Sequence, residues 1–360
     1  MEFLDCKRIT KAKRAFTTRR VPTKHMQILV PPPAEPRSGD LVLARIDTLG
    51  HHKAIELPSG RKAALAPGDE VLLAYGNRYA PDQFEALVPS DLGPCDMVAA
   101  GGVASRAAGW HDRIALPTGI VPIGLVADVD GQVVNIADFA IAPEPTLRLP
   151  PAIMVFGTSM NAGKTTTAAS LVRGLARAGF SVGAAKVTGT GAGNDLWAMS
   201  DAGACAALDF TDAGFVTTYL TPVDAIIRGA ERLLRSLAGS GADVAVLEVA
   251  DGLFQPETAA LAKSLEFRKL ARGALFAAGD AMGAAAGCER LRSLGYDVLG
   301  MSGRLTRSPL ACREASIANV PVYGIEELSD PTIAASMVPE SPMISPVKVM
   351  GGAVCAHQVS

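Results

Sequence analysis

A short apolar run, a glycine-bearing loop ending in Gly-Lys-Thr and an amphipathic stretch follow one another without interruption, and few folds accommodate that succession. Ala152 to Phe156 is the run, Gly157-Thr158-Ser159-Met160-Asn161-Ala162-Gly163-Lys164-Thr165 is the loop, and the amphipathic stretch continues through Ala178. Strand, loop and helix in this order turn backbone N–H groups toward a helix N-terminus, where unpaired donors and the helix dipole meet phosphate oxygens. Gly163 lets the backbone come close, and Lys164 reaches the β- and γ-phosphates. The Thr165 hydroxyl belongs in the shell of Mg²⁺, and Thr166 serves the α-phosphate. Gly157, Thr158, Asn161 and Ala162 complete the expected nucleotide loop. Five residues separate Gly157 from Gly163, one more than the usual four.

The texture around the loop sets the domain expectation. At 360 residues the chain has room for two cores. After Pro143, Pro145, Pro150 and Pro151, strands alternate with helices, which is the signature of βαβ units on a parallel sheet. Before them, from 40 to 142, short β-type runs lie between turns: Leu41 to Ile46, Ala54 to Leu57, Glu70 to Tyr75 and Ile120 to Val126. Asp130-Gly131 reads as a hairpin tip within 129 to 134. The fold class is therefore α/β, a P-loop parallel sheet with flanking helices, preceded by a smaller β-rich domain. The expected division is a basic arm and Pro-rich joint over 1–36, the β-rich domain over 37–148, the P-loop domain over 149–330 and a tail over 331–360.

Charge and cysteine usage narrow the function classes. Hydrophobic residues make up 49% and formal net charge is −2, so the chain folds compactly and has no global positive field for nucleic acid or an anionic membrane. Lys7, Arg8, Lys11, Lys13, Arg14, Arg19, Arg20 and Lys24 form a local basic cluster, read as a solvated strand or arm, with organised structure expected from about Asp40. The six cysteines stand singly, without metal-ligand spacing, and read as reduced thiols. No apolar run reaches bilayer length and no signal-type segment opens the chain, so the expectation is a cytoplasmic protein.

Beyond the loop, position along the expected strands selects further candidates. Glu248 ends the run Val244-Ala245-Val246-Leu247, at the strand end where ligands bind in an open parallel sheet. Asp251 follows three residues later and competes for the same role. Lys186 ends another strand, where a cation can stabilise a transferring phosphoryl group. Asp195, Asp201, Asp209 and Asp212 all compete for the Mg²⁺ role. In the first half, Tyr75 to Phe84 concentrates Tyr, Arg, Asn, Asp and Gln on an expected loop and is a ligand-binding candidate. Ala99 to Gly102 and His111-Asp112-Arg113 are weaker ones, and His51-His52 reads as a loop pair.

The lengthened loop resembles that of dethiobiotin synthetase and of the cobyrinate and cobyrate amide synthetases. The similarity continues through Ala184 to Gly191, Met199-Ser200-Asp201-Ala202, Val244 to Phe254, Gly273 to Asp280, Asp297 to Ser302 and Val320 to Gly324, about half the chain. It implies that Lys186 is the strand-end lysine, that Asp201 helps hold Mg²⁺, and that Glu248 is the metal-binding glutamate. It also implies ATP and Mg²⁺ as cofactors and a small-molecule carboxylate or carbamate that is phosphorylated, then attacked by an amine or closed to a ring. Family likeness alone points to a homodimer. The chain departs from that family in its β-rich first half, in lacking room for a glutaminase after Glu327, and in the Val-Ala-Asp-Gly turn after Glu248. The competing classes are a nucleotide-driven switch or partner-loading ATPase, and a small-molecule kinase. The Asn-Lys-x-Asp guanine motif is absent, which leans toward adenine.

Overall fold

In a computed structural model the described residues are 2–142 and 148–338. Pro143 and Pro145 of the expected joint, and residues 339–360 of the expected tail, lie outside them. The chain is an α/β protein with a six-stranded parallel sheet flanked by helices and, before it, a β-rich half.

The parallel sheet runs Ala206–Asp209, Val182–Lys186, Val244–Glu248, Ala152–Gly157, Ala271–Ala277, Val298–Ser302 across its width. Its strands are continuous apolar runs because both faces are covered. Met154, Phe156, Leu247 and Phe276 pack to one side, with Leu233 and Leu237 of the helix Val223–Gly239. Ile153, Val155, Val246 and Leu275 pack to the other, with Leu171 and Leu175 of the helix Lys164–Arg177. Val320 to Gly324, the last segment of the family resemblance, contributes an isolated bridge from Val322 to Met301. The expected tail begins as the helix Pro331–Ser336, whose Ala334 is buried in the same core as Leu171.

In the first half, pairing closes on itself. Strand Thr118–Ala127 pairs with Leu41–Thr48, which pairs with Glu70–Tyr75, then Val103–Trp110, then Cys95–Ala99, and Cys95–Ala99 returns to Thr118–Ala127. Closure removes the unpaired edges that an open sheet would expose. Alternate residues feed two clusters, Val42, Ala44, Val71 and Leu73 on one face and Leu41, Leu43, Leu72 and Ala74 on the other. The hairpin expected at 129 to 134 is present as a turn, with the Asp128 amide donating to Gln132 and Gly131 at φ 79.

The segment expected to be a solvated basic arm is instead part of this body. Strand Glu2–Phe3 pairs with Ile28–Val30, which joins Thr118–Ala127, and Phe16 and Val21 are fully buried. The basic residues find internal acids: Arg8 pairs with Glu70 at 2.7 Å and Lys13 with Asp69. Arg19 crosses to the parallel-sheet half, where its Nη2 lies 3.1 Å from Asp209 and 2.6 Å from Asp212. Proximity in sequence made these cations look like one patch, whereas folding pairs Arg8, Lys13 and Arg19 with acids distant in sequence and leaves Lys7, Lys11 and Lys24 exposed on the surface.

Arg19 carries the first prediction. Asp209 and Asp212 are buried, so removing this guanidinium leaves Asp209 without a cation and Asp212 with only the longer 3.5 Å contact to Arg20, in a place poor in water. Arg19→Ala is expected to lower unfolding free energy by about 3–5 kcal/mol, read by denaturant titration. A change within the noise of that titration rejects the ion cluster as a strut between the halves.

Candidate phosphate and metal site

The Gly157–Thr165 loop joins strand Ala152–Gly157 to helix Lys164–Arg177, as the order of residues dictates. Gly163 stands at φ 104, a left-handed conformation, and a β-carbon there would come within 2.9 Å of the Gly303 backbone. A side chain is therefore excluded twice, by torsion and by space. The helix has no side-chain N-cap, so its first amides remain available to an anion. The Lys164 ammonium is buried and donates to the Ser159 carbonyl oxygen at 2.7 Å, which folds it back over the loop. Burial holds its pKa below the ordinary lysine value, against the pull of Glu248 and Asp251.

Sheet register brings the remaining charges to the loop. Glu248 is registered with Val155 of the loop strand on one side and with Lys186 on the other, so both side chains emerge at one edge of the sheet. The Thr165 hydroxyl lies 3.0 Å from Glu248 Oε1 and 2.9 Å from Asp195 Oδ1. The second Asp195 oxygen pairs with Lys186. Burial works to lower the Lys186 pKa, but Asp195, Glu248 and Asp251 outweigh it and the ammonium is held charged. Asp195 is likewise held ionised, burial being overcome by Lys186.

Asp201 does not join this group. It is exposed at the last position of the helix Asn194–Asp201, while Asp195 in the first turn faces the loop. Beside Thr165, where the resemblance implied Asp201, the structure places Asp195. Asp209 and Asp212 are engaged with Arg19 and are no part of it either. Asp251 lines the same cleft as Glu248, with its pKa raised by burial.

The residues fit a hydrated Mg²⁺. Two carboxylates converge on one hydroxyl, and Glu248 Oε2 is buried without a hydrogen-bond partner. Among the described residues no group of three or more His, Cys, Asp or Glu could enclose a metal. A two-carboxylate, one-hydroxyl set suits an ion that keeps waters and takes phosphate oxygens.

Burial and the neighbouring Asp195 push the Glu248 pKa up to about 7. Because the folded state holds this proton more tightly than the unfolded chain, the associated stability is present below 4.5 and is lost as pH rises through about 7. Metal-free protein is thus expected to show a falling Tm over that window, and Glu248→Gln to flatten the fall. A wild-type profile unchanged by the substitution sinks this assignment.

The site opens into a cleft of about 690 Å³ between the two halves. The parallel-sheet side supplies Lys164, Thr165, Lys186, Asp195, Glu248 and Asp251. The β-rich side supplies His52, Arg78, Tyr79, Gln83, Ala99 and Ala100. Tyr75 to Phe84, expected as a loop, instead closes the strand Glu70–Tyr75 and contributes to a hairpin of Arg78–Tyr79 and Phe84–Leu87. Asp82 at its tip accepts a 2.5 Å hydrogen bond from Asn161 of the phosphate loop. Glu56, from the same half, accepts from the Gly193 amide and the Trp197 indole, each at 2.8 Å, and so fixes the start of the helix that carries Asp195. Glu56 escaped the sequence reading, having no signal beyond a single acid in an apolar strand.

No family model matches this chain, and no curated protein matches it. Among solved structures it is similar to the signal recognition particle 54 kDa protein of Aeropyrum pernix K1 in complex with GDP, at 16% identity and TM-score 0.34. That match covers 54% of this chain and 47% of the other, so it spans about half the length of its relative. The signal recognition particle receptor FtsY of Elizabethkingia anophelis in complex with GDP matches at 15% identity, 56% and 67% coverage and TM-score 0.34. The kinase domain of the Escherichia coli tyrosine kinase ETK matches at 16% identity, 42% and 66% coverage and TM-score 0.32. No helix among the described residues is long and apolar enough to cross a membrane.

Proposed function

We propose that this chain uses a nucleoside triphosphate, ATP by preference, to phosphorylate a small-molecule carboxylate or carbamate, which then forms an amide or closes a ring. The observation that carries this reading is the continuous cleft joining the phosphate loop to a polar wall from the β-rich half, large enough for a second substrate beside the nucleotide.

In the proposed reaction a carboxylate oxygen attacks the γ-phosphorus, the bond to the β-phosphate oxygen breaks, and the nucleoside diphosphate leaves. Amine attack at the acyl carbon then expels inorganic phosphate. Lys164 and Lys186 hold positive charge beside the transferring group, and the loop amides orient it. Thr165, Asp195 and Glu248 would hold Mg²⁺, which neutralises phosphate charge when bound. Asp251, held above the ordinary carboxylate range by burial and facing the lysines, can take the proton released by the amine.

Phosphate release with Mg²⁺ and ATP or GTP, measured across a panel of small carboxylates and amines with product mass, tests the proposal. Carboxylate-dependent formation of the diphosphate, with an acyl phosphate or amide, is expected. A stable phosphorylated product that no amine consumes makes the protein a small-molecule kinase instead. Turnover indifferent to every metabolite favours the second reading, a nucleotide-driven switch. One contact speaks for that alternative: the Asn161–Asp82 hydrogen bond ties the phosphate loop directly to the other half.

A further inference from the structure

Arg78 is a buried cation without an anion. Its side chain is 6% exposed, yet among the described residues no carboxylate lies within ion-pairing distance. Nη2 donates to Gln83 Oε1 at 2.6 Å, and Nε has no partner. Nη1 lies 3.2 Å from His52 Nε2, but that nitrogen also lies 3.0 Å from the Val98 carbonyl. One ring nitrogen cannot donate to Val98 and accept from Arg78 at once. Burial and the Arg78 charge drive the His52 pKa down to about 3, so the imidazole is neutral and offers no countercharge. Burial draws the guanidinium's own pKa down to about 10, with Asp251 across the cleft opposing it. An unpaired buried charge is a standing cost to the fold, and such costs persist where a ligand supplies the missing partner.

Position says which ligand. Arg78 lines the wall opposite the phosphate loop, on a hairpin held by its contact with Asn161, with the guanidinium set over the Phe84 ring. The nucleotide's phosphates are served from the other wall by Lys164, Lys186 and the loop amides. A planar fork of donors with free positions suits the two oxygens of a carboxylate.

We propose that Arg78, held by Gln83, is the anchor for a carboxylate of the second substrate, so that the β-rich half is the acceptor-recognition module. This rests on the phosphotransfer reading above and narrows it: the acceptor carries a carboxylate that binds Arg78, in addition to the carboxylate or carbamate that is phosphorylated.

The test is thermal unfolding of wild type, Arg78→Met and Arg78→Lys, each with and without Mg·ADP, across small mono- and dicarboxylates paired with their neutral amides. At least one carboxylate is expected to raise the wild-type Tm while its amide does not. Arg78→Met is expected to lose that shift and Arg78→Lys to keep part of it. Without ligand, Arg78→Met is expected to melt at or above wild type, because a buried unpaired charge has been removed. In turnover, Arg78→Met is expected to raise acceptor KM about 100-fold with nucleotide KM moved far less. A lower ligand-free Tm in Arg78→Met makes Arg78 a structural staple and overturns the inference. So does a carboxylate shift that survives the substitution, the absence of any such shift in wild type, or a loss confined to kcat, which would assign Arg78 to the phosphoryl group. Failure of wild type to bind Mg·ADP defeats the phosphotransfer reading instead, and the carboxylate shift without nucleotide is still read separately.

Discussion

Lys164→Ala is expected to lose about 10³-fold in kcat/KM for nucleotide turnover, because one buried ammonium supplies charge to the transferring phosphate where water cannot replace it. In the ligand-free protein Lys164 is buried and its ammonium donates to the Ser159 carbonyl oxygen rather than to a carboxylate. Its deletion should therefore leave the fold intact, and the variant's Tm should stay near or above that of wild type. Phosphate release and a melting curve on the same preparation separate the two effects. Wild-type turnover in this variant would mean that the loop is not the catalytic phosphate cradle, and a collapsed melting curve would mean that Lys164 is structural.

A comparison of Asp195→Asn with Asp201→Asn decides the metal assignment. Asp195 touches Thr165 and Lys186, so its substitution removes one carboxylate from the metal set and strips a buried lysine of its nearest anion. Turnover is expected to fall about 100-fold, with the Mg²⁺ concentration for half-maximal rate moved upward. Asp201 is exposed at the opposite end of the same helix, and Asp201→Asn is expected to match wild type in both rate and Mg²⁺ dependence. The reverse pattern restores the role that resemblance implied for Asp201. Titrating Mg²⁺ at saturating nucleotide gives both numbers from one experiment.

Helix geometry explains why these two aspartates were ambiguous. Six residues along a helix turn the side-chain direction by about 240° net, so Asp195 and Asp201 cannot both face the loop. Only the orientation of the helix chooses between them, and Glu56 of the β-rich half sets that orientation through Gly193 and Trp197. A residue nearly 140 positions upstream thus selects a candidate metal ligand, which no local pattern can reveal.

The basic cluster at 7 to 24 failed as a solvated arm for a related reason. Arg8, Lys13 and Arg19 are matched by Glu70, Asp69, Asp209 and Asp212, acids distant in sequence, while Lys7, Lys11 and Lys24 do stay on the solvated surface. Local charge density measures a patch only where the chain stays extended in solvent. Arg78 went the opposite way: sequence placed it on a polar loop, and folding buried it without an anion.

What the sequence determined by itself is what neighbouring residues settle between them. The strand, loop and helix around Gly157 to Thr165, the apolar runs of the parallel sheet, and the strand-end positions of Lys186 and Glu248 all follow from contiguous periodicity and the geometry of glycine. The tertiary structure alone decided the closure of the β-rich sheet, which aspartate of the helix Asn194–Asp201 lies against Thr165, and the wall that faces the phosphate loop. Those depend on register and on packing between distant segments, where free energy is gained only when both partners are in place.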